Sequence, residues 1–270
     1  AKNSLDRGKG VDYEGNPILK VELSLVTSKE VTTVLSRLFR SPAGGGGRLC
    51  ALLESIKVSA FLGSKSEQLE ILRLLRENHC ASRFRKLAKL ALEDSGQKLL
   101  TAQDFADIKP FDQYDNLESL SLKGSFNNCS VFPNEVFARL GRLSELDLGE
   151  NSIGIATLQG PGVSGGVFAM LNQLDSLNLN ENLLTSIEGN GTWFAGLGRL
   201  QKLKLKENRI SRVDSGAFRP LTKLKYLDLS GNNLTSLESG AFEGLSVLSN
   251  LDLSENNLNR ISRVDSGAFR

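Results

Sequence analysis

From Leu117 onward the pattern L-x-x-L-x-L occurs six times, and no other feature of this 270-residue chain constrains its fold as much. The repeats start at Leu117, Leu143, Leu174, Leu200, Leu224 and Leu248, so successive starts lie 26, 31, 26, 24 and 24 residues apart. A period of this length builds a solenoid, in which each unit contacts only its neighbours, and not a closed globule. A solenoid offers a long binding face and rarely a catalytic pocket, so the repeat points to action by binding.

Four units are the most regular. They read Leu174-x-x-Leu177-x-Leu179-x-x-Asn182-x-Leu184, Leu200-x-x-Leu203-x-Leu205-x-x-Asn208-x-Ile210, Leu224-x-x-Leu227-x-Leu229-x-x-Asn232-x-Leu234 and Leu248-x-x-Leu251-x-Leu253-x-x-Asn256-x-Leu258. The Leu143 unit keeps the frame with Asn151 and Ile153. An F-x-x-L-x-x-L trio leads into the later units, beginning at Phe137, Phe168, Phe194, Phe218 and Phe242. Alternation in L-x-L predicts a short strand with its leucines turned inward. The asparagine amide can hydrogen-bond the backbone of adjacent turns, and stacked copies would form a ladder satisfying buried N–H and C=O groups. The phenylalanines and the leucines after them fill the opposite side.

These residues resemble the leucine-rich repeat family, closest to its 24-residue typical subtype, over about residues 116–270. The resemblance implies an α/β solenoid: a curved horseshoe with a parallel sheet on its concave face. The Leu117 unit departs from the pattern with Ser125 in place of the asparagine, which suits a first coil. The Leu143 unit carries a glycine-rich bulge, Gly160 to Gly166, without the lysine of a phosphate loop; a solvent loop and a partner contact are its two readings. Trp193 stands where neighbouring units have alanine, as a packing residue or an interface anchor. Residues 208–219, NRISRVDSGAFR, recur unchanged as 259–270, through duplication of repeat units or assembly of the chain. The chain stops in mid-repeat, which predicts an uncapped apolar end covered by further chain or a partner.

Composition excludes several classes. Hydrophobic content of 40%, charged content of 24% and a net charge of +2 are ordinary for a soluble protein. No apolar run approaches the roughly 18 residues of a membrane span. Cys50, Cys80 and Cys129 are odd in number and scattered, and His79 is the sole histidine, so neither a disulfide framework nor a metal site is expected. No cofactor is expected. The family's secreted members carry cysteine-rich caps that this chain lacks, which favours an intracellular or organellar location. Asn128, Asn190 and Asn233 begin N-x-S/T sequons, a short motif frequent by chance.

Alternation also names the residues that should point out of the strands. Those proposed for protein binding are Glu145, Asp147, Asn178, Lys202, Lys204, Lys206, Tyr226, Asp228, Asn250 and Asp252. A basic row, Lys202-Lys204-Lys206, lies between acidic ones, with Tyr226 beside it. Either this is a solvated polar face or a mixed-charge docking surface centred on the tyrosine.

The first 115 residues read differently. Residues 1–17 are polar and predict a flexible arm; 18–115 predict a mainly α-helical N-terminal domain. The alternation of 18–26 suggests one strand. Thr27-x-x-Glu30, Ser64-x-x-Glu67 and Thr101-x-x-Asp104 read as helix caps. Helices are expected over 49–62, 66–78, 82–94 and 101–107. Between Arg37 and Lys89, 11 Lys/Arg stand against 4 Glu. Arg83, Arg85, Lys86 and Lys89 are the densest part, a weak nucleic-acid signal because aromatic residues are nearly absent.

The function these features predict is a non-catalytic protein-binding scaffold or accessory subunit of a larger assembly. It would bind a protein partner through the repeat surface and the uncapped end. A secreted or cell-surface recognition receptor is the alternative. An enzyme using Cys50 or Cys80 is disfavoured, since neither has an acid–base partner in sequence.

Overall fold

The computed structural model describes residues 10–11, 17–24, 28–39, 53–59, 64–76, 89–93, 100–112, 114–125, 136–154, 166–189 and 192–257. Its main feature is a ten-stranded sheet. The strands are β1 (Gly10–Val11), β2 (Pro17–Ser24), β3 (Leu53–Ser59), β4 (Lys89–Glu93), β5 (Ser119–Ser121), β6 (Glu145–Asp147), β7 (Ser176–Asn178), β9 (Lys202–Lys204), β11 (Tyr226–Asp228) and β12 (Asn250–Asp252). β1 pairs antiparallel with β2, and every later neighbour is parallel. Two short strands, β8 (Ser186–Ile187) and β10 (Arg212–Val213), pair separately. Parallel strands in sequence order mean that each chain segment returns by the same side, as a solenoid requires.

The sheet does not begin at Leu117. β2, β3 and β4 continue it upstream in the same order. The segments 49–62 and 82–94, expected as helices, contain β3 and β4 instead, and Gly10–Val11, expected in an arm, pairs with Pro17 and Ile18. The described front part alternates strand and helix. Helices α1 (Ser28–Phe39), α2 (Lys65–Arg76) and α3 (Ala102–Ile108) follow β2, β3 and β4. Degenerate copies of the repeat underlie these strands: Ile18-x-x-Val21-x-Leu23, Leu53-x-x-Ile56-x-Val58 and Leu87-x-x-Leu90-x-Leu92. Their starts precede one another and Leu117 by 35, 34 and 30 residues. A unit of that length holds a helix on its return path, whereas a 24-residue unit holds only turns.

Burial follows the repeat. Leu117, Leu143, Leu174, Leu200 and Leu224 are fully buried, as are Leu122, Leu148, Leu179, Leu205 and Leu229. On the return side, ring centroids lie 6.5 Å apart for Phe137 and Phe168, 5.8 Å for Phe194 and Phe218, and 6.1 Å for Phe218 and Phe242. Coils approach closely there: Gly196 has φ +89°, and a Cβ on it would lie 2.4 Å from the carbonyl oxygen of Ala169. In the front part Leu72 and Leu75 of α2 are buried, and the Tyr114 hydroxyl donates to the Leu75 carbonyl at 3.0 Å. Thr101 caps α3 through a reciprocal bond with Asp104, which also meets Lys65 at 2.8 Å. Burial would raise the Asp104 carboxyl, but the hydrogen bonds from Lys65 and Thr101 outweigh it and hold the group below its ordinary value.

The asparagines form the expected ladder. The Asn232 amide donates to the carbonyls of Leu205 (2.9 Å) in the preceding coil and of Leu229 (2.9 Å) and Ser230 (3.2 Å) in its own. Its oxygen accepts the Ile210 N–H at 3.0 Å. Asn182, Asn208 and Asn256 repeat all four bonds, and Asn151 repeats the three donations. Ser125, which stands at the asparagine position, keeps the bond between coils: its hydroxyl donates to the Leu92 carbonyl at 2.6 Å. That bond ties β4 to the first regular coil.

Asn232→Ala leaves the Ile210 N–H without a partner in a dry interior, while the carbonyls of Leu205, Leu229 and Ser230 each lose one of two donors and keep Asn208, Asn256 and the Glu207 N–H. At about 1–3 kcal/mol for one orphaned buried group, with a smaller addition for the weakened carbonyls, the expected loss is about 2–3 kcal/mol. Asn233→Ala, one residue along but exposed, should change stability by less than about 0.5 kcal/mol. Urea midpoints of the two variants at unchanged slope check the contrast.

Candidate functional site

Register across the sheet lines up its outward residues in rows. One row runs Ser119, Glu145, Ser176, Lys202, Tyr226, Asn250, and the other Ser121, Asp147, Asn178, Lys204, Asp228, Asp252. The row-mates of β4, β3 and β2 are Lys89, Ser55 and Lys20 for the first row, and Ala91, Lys57 and Glu22 for the second. Lys89 is therefore a strand residue opposite Ser119, not part of a basic helix face; Arg83, Arg85 and Lys86 lie outside the described residues, as do all three cysteines and His79.

The structure brings several of the expected residues into contact. The Lys202 ammonium sits 5.1 Å from the centre of the Tyr226 ring, within cation–π range. The Tyr226 hydroxyl donates a long bond, 3.4 Å, to Asp228 Oδ2. Asp228 is buried at 7% exposure, and its Oδ1 accepts from the Ser230 N–H at 3.0 Å and the Ser230 hydroxyl at 2.7 Å. Asp147 Oδ1 accepts from the Gly149 N–H at 2.8 Å and from the Asn178 amide at 2.9 Å. Asp252 Oδ1 accepts from the Ser254 N–H at 2.9 Å.

Other expected residues are not drawn into this centre. Lys206 lies beyond the strand and pairs with Glu207 at 3.2 Å. Glu145 and Asn250 are exposed on strands on either side of the lysine–tyrosine pair. Trp193 is 2% exposed and packs edge-on to Phe194 at 6.0 Å, so its role is packing and not that of an exposed anchor. The sequence reading missed the conformation before each asparagine. Glu150, Glu181, Glu207 and Glu255 all have φ between 53° and 56°, and Gly124 and Gly231 occupy the same place at 67° and 65°. Two glycines at one repeat position were the available signal for a left-handed turn.

Electrostatics agree with the packing. Burial raises the Tyr226 phenol above its ordinary value, and the Asp228 carboxylate adds to the effect by charge and hydrogen bond. The Asp252 carboxyl is lowered, chiefly by the Ser254 hydroxyl and N–H. Chemically the face offers cations, carboxylates, amides and one ring on a fixed lattice. Among the described residues, no group of three or more His, Cys, Asp or Glu is placed to hold a metal ion, and no helix is long and apolar enough to cross a membrane. At the C-terminal end of the described coils, Phe242, Leu245, Leu248, Ser249 and Leu251 line a shallow pocket.

Comparisons with known proteins bear on the repeats. The leucine-rich repeat family model matches residues 190–234 and 222–269, and with the parallel solenoid sheet this establishes a leucine-rich repeat segment in the chain. No curated protein matches. Among solved structures, one described as a crystal structure of a TLR13–ssRNA13 complex is similar at 20% identity, with a TM-score of 0.48. The match covers 80% of this chain and 36% of that one, so this chain spans about a third of its length.

Tyr226 should ionise above the roughly pH 10 of a free tyrosine. A 295 nm titration, taken as the difference from Tyr226→Phe, reads this directly. Asp228→Asn should bring the midpoint down only partway, because burial and the Asp252 charge remain. A midpoint at or below the ordinary value in the parent protein would contradict the described packing.

Proposed function

We propose that this chain is a non-catalytic protein-binding module, a scaffold or accessory subunit that docks a partner on the outward face of its parallel sheet. The observation that carries the reading is the alignment of outward side chains in unbroken register rows around Tyr226, which is partly buried and carries Lys202 on its ring. Because the backbone under them is hydrogen-bonded from coil to coil, the chain that carries these side chains needs little ordering on binding, which lowers the cost of association. Aromatic and cationic residues near the centre of a preformed face are frequent anchors of protein interfaces. The binding residues are those named from the sequence, with Lys202, Lys204 and Tyr226 central, Glu145, Asn178 and Asn250 around them, and Asp147, Asp228, Asp252 and Lys206 shaping the surface.

The test is quantitative recovery of co-purifying protein by tagged full-length chain from cells that express it. Tyr226→Ala should weaken the complex by about 2 kcal/mol, roughly thirtyfold. Arg219→Ala should leave it unchanged, since Arg219 lies on the return side and pairs with Glu243 at 2.8 Å. Equal recovery with all variants would sink the sheet-face reading.

A recognition receptor of the secretory route is the second reading, and one feature favours it. In the sequon Asn233-Leu234-Thr235 the asparagine is exposed, while its neighbour Asn232 is buried in the ladder. Intact-glycopeptide mass spectrometry of the natural protein decides: a glycan at Asn233 places the chain in the secretory route, and a bare, fully recovered peptide leaves the scaffold.

A further inference from the structure

The charges of the sheet face divide into two groups that the sequence does not separate. The aspartates are engaged by their own chain. Asp147, Asp228 and Asp252 each accept the N–H of the residue two places on, and Asp147 and Asp228 accept further side-chain bonds. Two of the lysines are also engaged, Lys123 with Glu150 at 2.6 Å and Lys206 with Glu207 at 3.2 Å. Lys202 and Lys204 are different. Among the described residues neither ammonium group has a hydrogen bond or ion pair, and that of Lys202 rests only on the Tyr226 ring. Glu145 is the matching case of opposite sign, exposed and with no partner for its carboxylate among the described residues.

Among the described residues a partner therefore meets two ammonium groups with no hydrogen bond or ion pair at the centre of the face, and one carboxylate in the same condition on its β6 side. Resting on the docking function proposed above, we propose that the face takes an extended acidic segment of a partner protein, with alternate carboxylates on Lys202 and Lys204 and a basic residue at Glu145. Spacing supports this occupant. Lys202 and Lys204 stand two residues apart on one strand, roughly 7 Å, which is also the repeat of alternate side chains in an extended peptide. Glu145 lies two strands from Lys202, roughly 10 Å away.

A nucleic-acid strand fits the same lattice poorly. Its phosphates form a long uniform row of charge and want a continuous cationic track. Here the track is two lysines wide. Asp228 and Asp252 follow on the next two strands, and Asp147 stands two strands away on the other side. No cation pairs with these carboxylates among the described residues, so they repel any polyanion that extends past the lysines. A short segment with two carboxylates and a flanking cation meets no such obstacle.

The experiment uses the full chain in extracts of cells that express it. Ser176, between Glu145 and Lys202, is replaced by photoreactive p-benzoylphenylalanine. A parallel sample of the parent chain is treated with a zero-length carbodiimide, which joins an amine to a carboxylate only in direct contact. The expected result is a photo-adduct to one protein, together with isopeptides joining Lys202 or Lys204 to Asp or Glu of that same protein. Lys202→Gln with Lys204→Gln should cut the photo-adduct roughly tenfold. Lys223→Gln with Arg142→Gln, the same charge change at exposed positions off the sheet strands, should leave it unchanged. A protein photo-adduct with no isopeptide, indifferent to the lysine pair, overturns the acidic segment and keeps the docking face. An adduct to nucleic acid overturns it in favour of that class. No adduct above that of an unirradiated sample, with the chain shown folded by circular dichroism, removes the docking face and this inference together.

Discussion

Three-residue strands leave most of a coil's backbone outside any sheet, and that backbone must turn through a dry interior. The buried asparagine solves this. Each ladder asparagine donates to carbonyls in its own coil and the one before, and Asn182, Asn208, Asn232 and Asn256 also accept an N–H from the preceding coil. Four bonds per side chain convert a stack of turns into a continuous network. Burial of leucine and phenylalanine supplies the larger free energy, at about 1.5–3 kcal/mol per side chain, but it is non-directional. Directional bonds decide where each coil sits. Sheet register, the phenylalanine stack and the outward rows follow from that placement.

The ladder also explains a local rule that the chain breaks. The residue before the asparagine adopts left-handed geometry in each regular coil, and four of these residues are glutamates. A left-handed conformation costs a residue with a Cβ about 1–2 kcal/mol. It persists because the geometry is over-determined from both sides: the asparagine is fixed by its bonds, and the N–H groups of Glu150, Glu181 and Glu207 each donate to the following coil at 2.9 Å. Glutamate gives something glycine cannot, since Glu150 and Glu207 carry the ion pairs to Lys123 and Lys206. At Gly231 a Cβ would lie 3.1 Å from Glu207 Cγ, so the lack of a side chain there suits the glutamate of the coil before.

The regular coils were legible because one residue type recurs at one spacing. Leucines at three positions and an asparagine nine residues into the unit predict strand, ladder and buried face together, and the rows of outward residues then follow by alternation alone. The front half hid the same signal. Ile18, Val21, Ile56 and Val58 replace leucines, no asparagine marks the turn, and units of 34 and 35 residues fall outside the shorter period. The helices between them carry the stronger local pattern, and 66–78 and 101–107 were readable for that reason. Short apolar strands such as Ile56-x-Val58 and Leu90-x-Leu92 carry too few residues to tell a period of 2 from one of 3.6. Ser125 shows what remains when the ladder residue changes: one hydroxyl keeps the bond between coils and gives up those within its own.

Charge on the face was the least legible property, and the reason is geometric. A sequence counts Asp147, Lys204, Asp228 and Asp252 as equals in one row. The structure gives the aspartates a second task, since a carboxylate at that position reaches the N–H two residues on and tightens the exit from the strand. Lysine, with donors and no acceptor, cannot perform that task, so its ammonium stays available. The same backbone geometry that closes each turn thus sorts the charges, engaging the aspartates at the strand ends and leaving the lysines of β9. What the face offers a partner is set by hydrogen-bonding chemistry at the turn more than by net charge, and a solenoid repeats that sorting at each coil.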